Sequence, residues 1–187
     1  MTNRKDIWVY IEQNDGQISD VSLELLAKGN ELAKTLNSQV WGLLFGYQVE
    51  DLAEKTIHYG ADRVLVADHP ELELYRTLPY CRVAVDLIQE HRPNIFLIGA
   101  SPVGRDLAPR VASAVQVGLT ADCTDLQIGD YEYRREKKIY KDLLLQLRPA
   151  LGGNIIATIV NPKTQPQMAT VREGVMEMHP LNKPVKG

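Results

Sequence analysis

The sequence is poor in cysteine and histidine and carries no excess of positive charge. Its 187 residues include two cysteines, Cys81 and Cys123, which lie far apart and lack CxxC spacing. We therefore expect reduced thiols rather than a disulfide framework or a zinc site. The four histidines show no metal-ligand spacing either. With 21 basic against 24 acidic residues and no basic stripe, the chain is not expected to bind nucleic acid.

Long apolar runs and targeting signals are also missing from the sequence. No run approaches the roughly 20 apolar residues that a helix needs to cross a bilayer. Residues 1–6 lead directly into a strand pattern without the apolar core of a signal peptide. We therefore expect a soluble, cytoplasmic protein with no membrane insertion.

The first two thirds of the chain alternate between strand and helix patterns. Short apolar runs predict strands, and apolar residues at spacings of three and four predict amphipathic helices. This alternation favours an α/β fold with a doubly wound, mainly parallel, Rossmann-like sheet in three layers. The predicted strands cover 7–11, 40–46, 63–67 and 95–98, and the helices cover about 20–37, 52–60, 79–91 and 102–115.

The pattern changes after residue 117. Residues 118–128 are predicted to be extended, Gly129 and Asp130 to form a turn, and the charged segment 131–138 to form a solvated hairpin edge. Two further strands are expected at 154–160 and 167–171, around a turn between Pro162 and Pro166. We interpret these segments as an added antiparallel hairpin with edge strands. Residues 1–179 then form one domain, and the aperiodic residues 180–187 a linker.

The loop from Gly99 to Arg105 is the first place to look for function, because ligands of parallel sheets collect at the carboxyl ends of the strands. Its backbone N–H groups are candidates to receive an anion. However, the loop has neither GxGxxG spacing nor a Walker lysine. The favoured interpretation is that Gly99 and Gly104 permit a tight turn and close packing of helix against strand.

Arg105 stands at the start of a predicted helix, where a cation opposes the helix dipole and needs a partner. Asp122 and Asp125 are the internal candidates. A carboxylate or a flavin phosphate on a neighbouring subunit is the external alternative, which we slightly favour.

The apolar residues at 143–145 and 155–156 have two interpretations that the sequence leaves open. They form a partner interface, as exposed apolar patches often do, or they extend the core.

Five segments together resemble the amino-terminal domain of the electron-transferring flavoprotein alpha subunit, and the resemblance extends over nearly the whole chain. Glu173 departs from that family, which usually has proline after the arginine at this point; we expect it to alter only a surface turn. The segments are YGAD at 59–62, GRDLAPRVA at 104–112, GLTADCT at 118–124, RPALGGN at 148–154 and ATVR at 169–172.

The resemblance implies a scaffold and assembly domain rather than an enzyme. Alpha subunits of that family continue into a carboxyl-terminal FAD-binding domain, so no FAD-binding residue transfers to this chain, and it is expected to bind no cofactor by itself. The complete heterodimer with the beta subunit is an FAD-dependent electron carrier linked to acyl-CoA dehydrogenases or NADH. The candidate partner-interface residues are Arg105, Thr120, Asp122 and Arg148.

Two other functions stay open from the sequence. The same α/β architecture hosts adenine nucleotides in other families, so a nucleotide-binding module is the main alternative. A small flavin-dependent enzyme complete in itself is the least favoured, because no phosphate-binding loop stands out.

Overall fold

A six-stranded parallel sheet lies at the centre of the computed structural model, which describes residues 6–134, 137–153 and 155–184. The strands are β1 Ile7–Ile11, β2 Gln13–Asn14, β3 Gln17–Ile18, β4 Val40–Gly46, β5 Arg63–Asp68, β6 Ile95–Gly99, β7 Leu119–Cys123, β8 Asp125–Tyr133, β9 Lys138–Ala150, β10 Ile155–Ile159 and β11 Gln167–Val171. The helices are α1 Asp20–Leu36, α2 Leu52–His58, α3 Thr77–His91 and α4 Pro102–Ala114, with short 3₁₀ turns at Pro70–Leu72 and Leu151–Gly153. The order across the sheet is β5-β4-β1-β6-β11-β7.

Helices cover both faces of this sheet, which confirms the predicted three-layer α/β architecture. All residues of β1 and of β6 are buried, as their uninterrupted apolar sequences predict. Successive residues of a strand point to opposite faces. Ile7, Val9 and Ile11 accordingly join the core layer beneath α1, whereas Trp8 and Tyr10 join the layer beneath α3 and α4.

Strand β11 is the main difference from the predicted topology. The sequence places it in an appended hairpin, but the strand pairs in parallel with both β6 and β7 and is buried along its whole length. A parallel connection needs a crossover of a dozen or more residues, usually a helix. Here the antiparallel strands β8, β9 and β10 make the crossover instead, so no βα signal marks β11 as a strand of the main sheet.

The predicted turn at Gly129 and Asp130 is wrong. Strand β8 continues through these residues to Tyr133 with only an irregularity in its pairing with β9. A Cβ atom at Gly129 would lie 2.7 Å from Cδ1 of Leu145, so the glycine permits a close contact with β9 within a continuous strand. The chain reverses between β8 and β9 within the charged run 134–138, of which residues 135 and 136 lie outside the described residues.

The two apolar segments of the antiparallel sheet have different environments. Leu143 and Leu144 are buried and thus belong to the core. Ile155 and Ile156, by contrast, expose 51% and 65% of their surface. The core interpretation therefore holds for these two leucines, and the isoleucines stay available for a partner.

The segment after β11 runs back over the face of the sheet that α1 covers. The carboxylate of Glu24, buried on α1, accepts hydrogen bonds from the backbone N–H groups of Gly174 and Met176 at 3.1 and 3.3 Å. Further along, Nζ of Lys183 lies 2.6 Å from Oδ1 of Asp62. Residues 174–183 are thus attached to the domain along α1 and up to the start of β5. Among the helices of the described chain, none is long and apolar enough to span a bilayer.

The loop between β5 and α3 is attached to α4 through Asp106. The hydroxyl groups of Tyr75 and Thr77 donate to Oδ2 of Asp106 at 2.7 and 2.6 Å, and Nε of Arg110 donates to Oδ1 at 3.1 Å. These hydrogen bonds, that from Thr77 first, lower the pKa of Asp106 to about 2. Burial, together with the bond to Asp106, raises the pKa of Tyr75 to about 12. The loop is therefore held by a carboxylate that stays ionised far into acid.

Gly104 provides a test of the packing of α4 against β6. A Cβ atom at this position would overlap the carbonyl oxygen of Gly99, so Gly104→Ala is expected to lower the free energy of unfolding by about 3 kcal/mol. The control is Gly29→Ala in α1, where the new Cβ would make an ordinary 3.4 Å contact with Val40. Because alanine favours helix, that variant should be unchanged or more stable by up to about 1 kcal/mol. Urea unfolding followed by circular dichroism measures both, and equal values would contradict the packing argument.

The pKa of Asp106 provides a second test. Its folded value of about 2 lies below the ordinary 3.8, so the bonds it accepts stabilise the fold above about pH 4, and this stabilisation is lost as the pH falls towards 2. The double variant Tyr75→Phe, Thr77→Val removes two donors and should bring the pKa back towards 3.8. Carbon-13 NMR of the side-chain carboxyl follows the titration. A wild-type midpoint near 3.8 would show that the loop is not attached in this way.

Candidate functional site

The strand order reverses direction between β1 and β6, which makes their carboxyl ends the expected ligand position of this sheet. Glu12 follows β1, and Ser101 follows β6. The Ser101 hydroxyl donates a hydrogen bond to the Glu12 carboxylate, with 2.5 Å between the oxygens. Two side chains of the protein itself therefore meet at the point where an open α/β sheet usually receives a ligand.

The start of α4 has few donors left for an anion. Oγ of Ser101 accepts from the N–H of Gly104 at 3.0 Å, the N–H of Arg105 bonds to the Ser101 carbonyl, and Pro102 has no N–H group. The glycines serve contact instead, since a Cβ at Gly99 would overlap Val21, and one at Gly104 would overlap the Gly99 carbonyl. The close-packing interpretation of these glycines is confirmed.

Glu12 makes the same position unfavourable for phosphate. Burial raises the pKa of its carboxyl, the charge of Glu173 adds to this rise, and the Ser101 hydrogen bond opposes it. Glu173 thus places a second acidic group near Glu12. A phosphate here would meet two carboxyl groups and a helix start whose donors are largely used.

A cluster of arginines around Asp122 lies beyond β7 and β11 at the same edge of the sheet. We call Arg105, Arg148, Arg172 and Asp122 the basic cluster. Arg172 holds the carboxylate with two hydrogen bonds, from Nε at 3.3 Å and from Nη2 at 2.7 Å. The Arg172 hydrogen bond is the largest cause that lowers the pKa of Asp122, and the charges of Arg172, Arg105 and Arg148 lower it further against the effect of burial. Two guanidinium groups thus pair with one carboxylate, and the charge of a third, that of Arg148, acts on it.

Arg105 is the most exposed member of the ion pairs in this cluster. Its Nε donates to the carbonyl of Ala100 at 2.7 Å, whereas its Nη2 lies 3.8 Å from Oδ1 of Asp122. Asp125, the other predicted internal partner, instead pairs with Lys28 at 3.1 Å. The Arg105 side chain stays 66% exposed, so the internal pair is long and leaves guanidinium donors facing solvent.

The remaining predicted site residues occupy different environments. Thr120 is buried in β7, so it lies behind the surface. Asp122 adopts a positive φ of 61°, and its backbone N–H donates to Oγ1 of Thr170 at 2.9 Å. This backbone conformation is uncommon for a residue with a Cβ atom; the Thr170 bond and the Arg172 pair hold Asp122 in place.

Arg172 is the residue of this cluster that was missing from the predicted site. The sequence feature that could have identified Arg172 is its position directly after the apolar sequence of β11, because polar residues at the carboxyl ends of parallel strands share one edge. This feature is informative only once β11 is known to belong to the parallel sheet.

The chemistry of the basic cluster is that of anion recognition. Guanidinium groups bind carboxylates and phosphates with paired hydrogen bonds. Within the described chain, no three histidine, cysteine or acidic side chains are grouped as a metal site. Burial raises the pKa of the neighbouring Cys123 thiol to about 12, so this cysteine does not supply a nucleophile.

Comparison with known proteins gives a consistent result. Residues 7–187 match the family described as the electron transfer flavoprotein domain. The chain is 47% identical to the electron transfer flavoprotein subunit alpha of Clostridium acetobutylicum, over 95% of this chain and 50% of that protein. It is 41% identical to the acryloyl-CoA reductase electron transfer subunit beta of Anaerotignum propionicum, over 92% and 51%.

A third relative is a subunit of a different named enzyme. The chain is 44% identical to a subunit of the lactate dehydrogenase (NAD(+),ferredoxin) of Acetobacterium woodii, over 90% of this chain and 38% of that subunit. The chain spans about half the length, or less, of these relatives. Since the family match covers nearly all its residues, the chain belongs to the electron transfer flavoprotein family and is an alpha-subunit type member of it.

Proposed function

We propose that this chain is the scaffold and assembly domain of an electron transfer flavoprotein alpha subunit, and that it pairs with the beta subunit in a cytoplasmic complex. The complex carries electrons on FAD and receives them from acyl-CoA dehydrogenases or from NADH. The chain itself has an architectural role and no catalytic residue. The observation that carries this proposal is the exposed basic cluster in a chain of this family. The point between β1 and β6 where the strand order reverses is filled by Glu12 and Ser101.

The basic cluster supports an interface because Arg105 has donor capacity beyond Asp122. An exposed guanidinium whose internal carboxylate lies 3.8 Å away is well suited to reach a carboxylate or a phosphate of a neighbouring subunit. Asp122 positions Arg105 and Arg172 in this arrangement. Thr120, buried beside the cluster, contributes through the packing of β7.

The antiparallel sheet supplies the apolar part of the proposed interface. Arg148 on β9 pairs with Ala157 on β10, and Ala150 pairs with Ile155. Because directly opposed residues and residues two positions apart share one face of a sheet, Ile155 lies on the same face as Arg148. An apolar side chain that is 51% exposed thus follows the basic cluster along one surface, the combination typical of subunit interfaces.

Arg105→Ala tests the interface directly. Exposed ion pairs contribute little to stability, so the melting temperature of the isolated chain should stay nearly unchanged, while its affinity for the beta subunit should fall about tenfold. The matched control is Arg82→Ala on α3, whose guanidinium pairs with Asp86 at 2.7 Å and is 79% exposed. Differential scanning calorimetry and co-purification with the beta subunit provide the readouts. A loss of several degrees with normal assembly would make Arg105 a purely structural residue.

The main alternative, an adenine-nucleotide-binding module, is opposed by the two acidic groups at the switch point. We expect AMP, ATP and NADH to bind the isolated chain more weakly than about 1 mM, and the purified chain to carry no flavin absorbance. Isothermal titration calorimetry and a visible spectrum after gel filtration measure these. Micromolar affinity, roughly −8 kcal/mol, would put nucleotide binding first, and a flavin retained in stoichiometric amount would show that FAD sites exist on this chain.

A further inference from the structure

Among the residues that the structure describes, the buried aromatic side chains all lie in one of the two core layers. The buried residues beneath α1 include no aromatic ring, whereas the layer beneath α3 and α4 contains both tryptophans and both phenylalanines of the sequence. Tryptophan and tyrosine are the aromatic side chains that lose one electron most readily, so their arrangement in this layer is of chemical interest. We call the following residues the aromatic array: Trp8, Trp41, Tyr10, Phe45, Tyr75 and Tyr80.

The two tryptophans lie at the end of the array that is nearest to the amino ends of the strands. Trp8 and Trp41 are direct partners in β1 and β4, and their rings stack with the centroids 6.2 Å apart. The guanidinium group of Arg63 lies 5.2 Å from the centroid of the Trp41 ring. A cation over an indole ring is attracted by its electrons, so it opposes the loss of an electron from that ring. Positive charge formed on the tryptophan pair is therefore unstable beside Arg63.

Tyr10 and Tyr80 continue the array towards the carboxyl edge of the sheet. Because Tyr10 follows Trp8 by two residues, the two side chains stand on one face of β1, about 7 Å apart along the strand. The ring of Phe45 lies 5.7 Å from that of Tyr10 and 6.0 Å from that of Tyr80. The rings of Tyr80 and Tyr75 pack edge to face with their centroids 5.0 Å apart. Aromatic rings thus connect the buried Trp8 with Tyr75, which is half-buried.

The two tyrosines at the far end of the array differ in what accepts their hydroxyl protons. The Tyr80 hydroxyl donates to the carbonyl of Leu72 at 2.7 Å, and a backbone carbonyl is too weak a base to take the proton. The Tyr75 hydroxyl donates to Oδ2 of Asp106 at 2.7 Å. A phenol that has lost an electron is a far stronger acid than a carboxylic acid, so the Asp106 carboxylate can take its proton. A phenoxyl radical is therefore best stabilised at Tyr75.

We propose that the aromatic array moves an oxidising equivalent from the tryptophan pair to Tyr75. An oxygen-derived radical first removes one electron from the pair, which leaves an indole radical cation. One electron then moves from Tyr75 through Tyr80 and Tyr10 to the indole, and the phenolic proton of Tyr75 moves to Asp106. The indole is restored, and the products are a neutral phenoxyl radical at Tyr75 and a neutral carboxyl group at Asp106, which returns its proton to water.

This activity protects the core from irreversible oxidation. A radical that stayed on a buried tryptophan would react within the protein, whereas a radical on the half-buried Tyr75 is accessible to a soluble reductant such as a thiol or ascorbate. The activity goes beyond the proposed function and does not depend on it, since neither FAD nor the beta subunit takes part. The chain by itself is sufficient for the test.

Pulse radiolysis with the azide radical, a one-electron oxidant that prefers tryptophan, provides the test. The absorbance of the tryptophan radical should decay at the rate at which that of the tyrosine phenoxyl radical rises, and this rate should not depend on protein concentration. Tyr80→Phe should slow the transfer at least about tenfold, because phenylalanine is not oxidised by a tryptophan radical. The matched control is Tyr131→Phe, which changes a 39% exposed tyrosine on β8 and should leave the rate unchanged. Circular dichroism checks that both variants are folded.

The position of the final radical and the movement of its proton provide two further readouts. A nitroso spin trap followed by peptide mass spectrometry should locate most of the adduct on Tyr75 in the wild type. Transfer in the wild type should be slower in deuterium oxide than in water, because the proton of Tyr75 moves together with the electron. Asp106→Asn, which removes the proton acceptor, should lower the yield of the Tyr75 adduct.

Four results would overturn the proposal. The first is the absence of a tryptophan radical in the wild type, which would exclude the pair as the starting point. The second is a tyrosine signal that does not rise as the tryptophan signal decays. The third is an equal rate of transfer in the wild type and in Tyr80→Phe. The fourth is an adduct that is spread over exposed tyrosines such as Tyr47 and Tyr131, since it would assign their oxidation to direct attack by the azide radical.

Discussion

Burial of the central strands on both faces is the constraint on which the rest of the structure depends. Strands β1, β6 and β11 are buried along their whole lengths, so each must supply apolar side chains to two core layers. Helices on both sides of the sheet satisfy that demand, and Leu126 of β8 and Leu144 of β9 add to the core layer on the face that α1 covers. With every strand parallel, all carboxyl ends lie at one edge, and that edge gathers residues that are far apart in sequence. Glu12, Ser101 and Arg172 lie at one edge of the sheet for this reason.

The sequence was sufficient to predict those parts of the fold that depend on local periodicity. The apolar runs of β1, β4 and β6 and the spacing in α1, α3 and α4 predict their elements to within a few residues. Strand β11 was misplaced, since its position between β6 and β7 depends on pairings more than 40 residues apart in sequence, which no local pattern encodes. The turn predicted at Gly129 was wrong because the sequence alone does not distinguish a glycine that permits a positive φ from one that permits a close contact.

The candidate site was predictable in part for the same reason. Arg105 and Asp122 were identified from the helix start and from the following segment, and they do pair, at 3.8 Å. Arg172 was not, because its role follows from the position of β11. The exposure of Leu74 and Leu78 could not be predicted either, since the sequence alone does not distinguish an exposed leucine from a buried one. It depends on the tertiary contacts of Tyr75, Thr77 and Tyr80, which leave both leucines facing outwards.

Two consecutive residues in the first turn of α4 contact groups at opposite ends of this edge. Arg105 contacts Asp122 in the basic cluster, and Asp106 accepts hydrogen bonds from the hydroxyl groups of Tyr75 and Thr77. Gly104, the residue before them, is packed against the carbonyl of Gly99, which leaves the turn no room to shift towards β6. A rotation of α4 would therefore act on both of these contacts at once. A single helix thus connects the loop before α3 with the basic cluster across the carboxyl edge of the sheet.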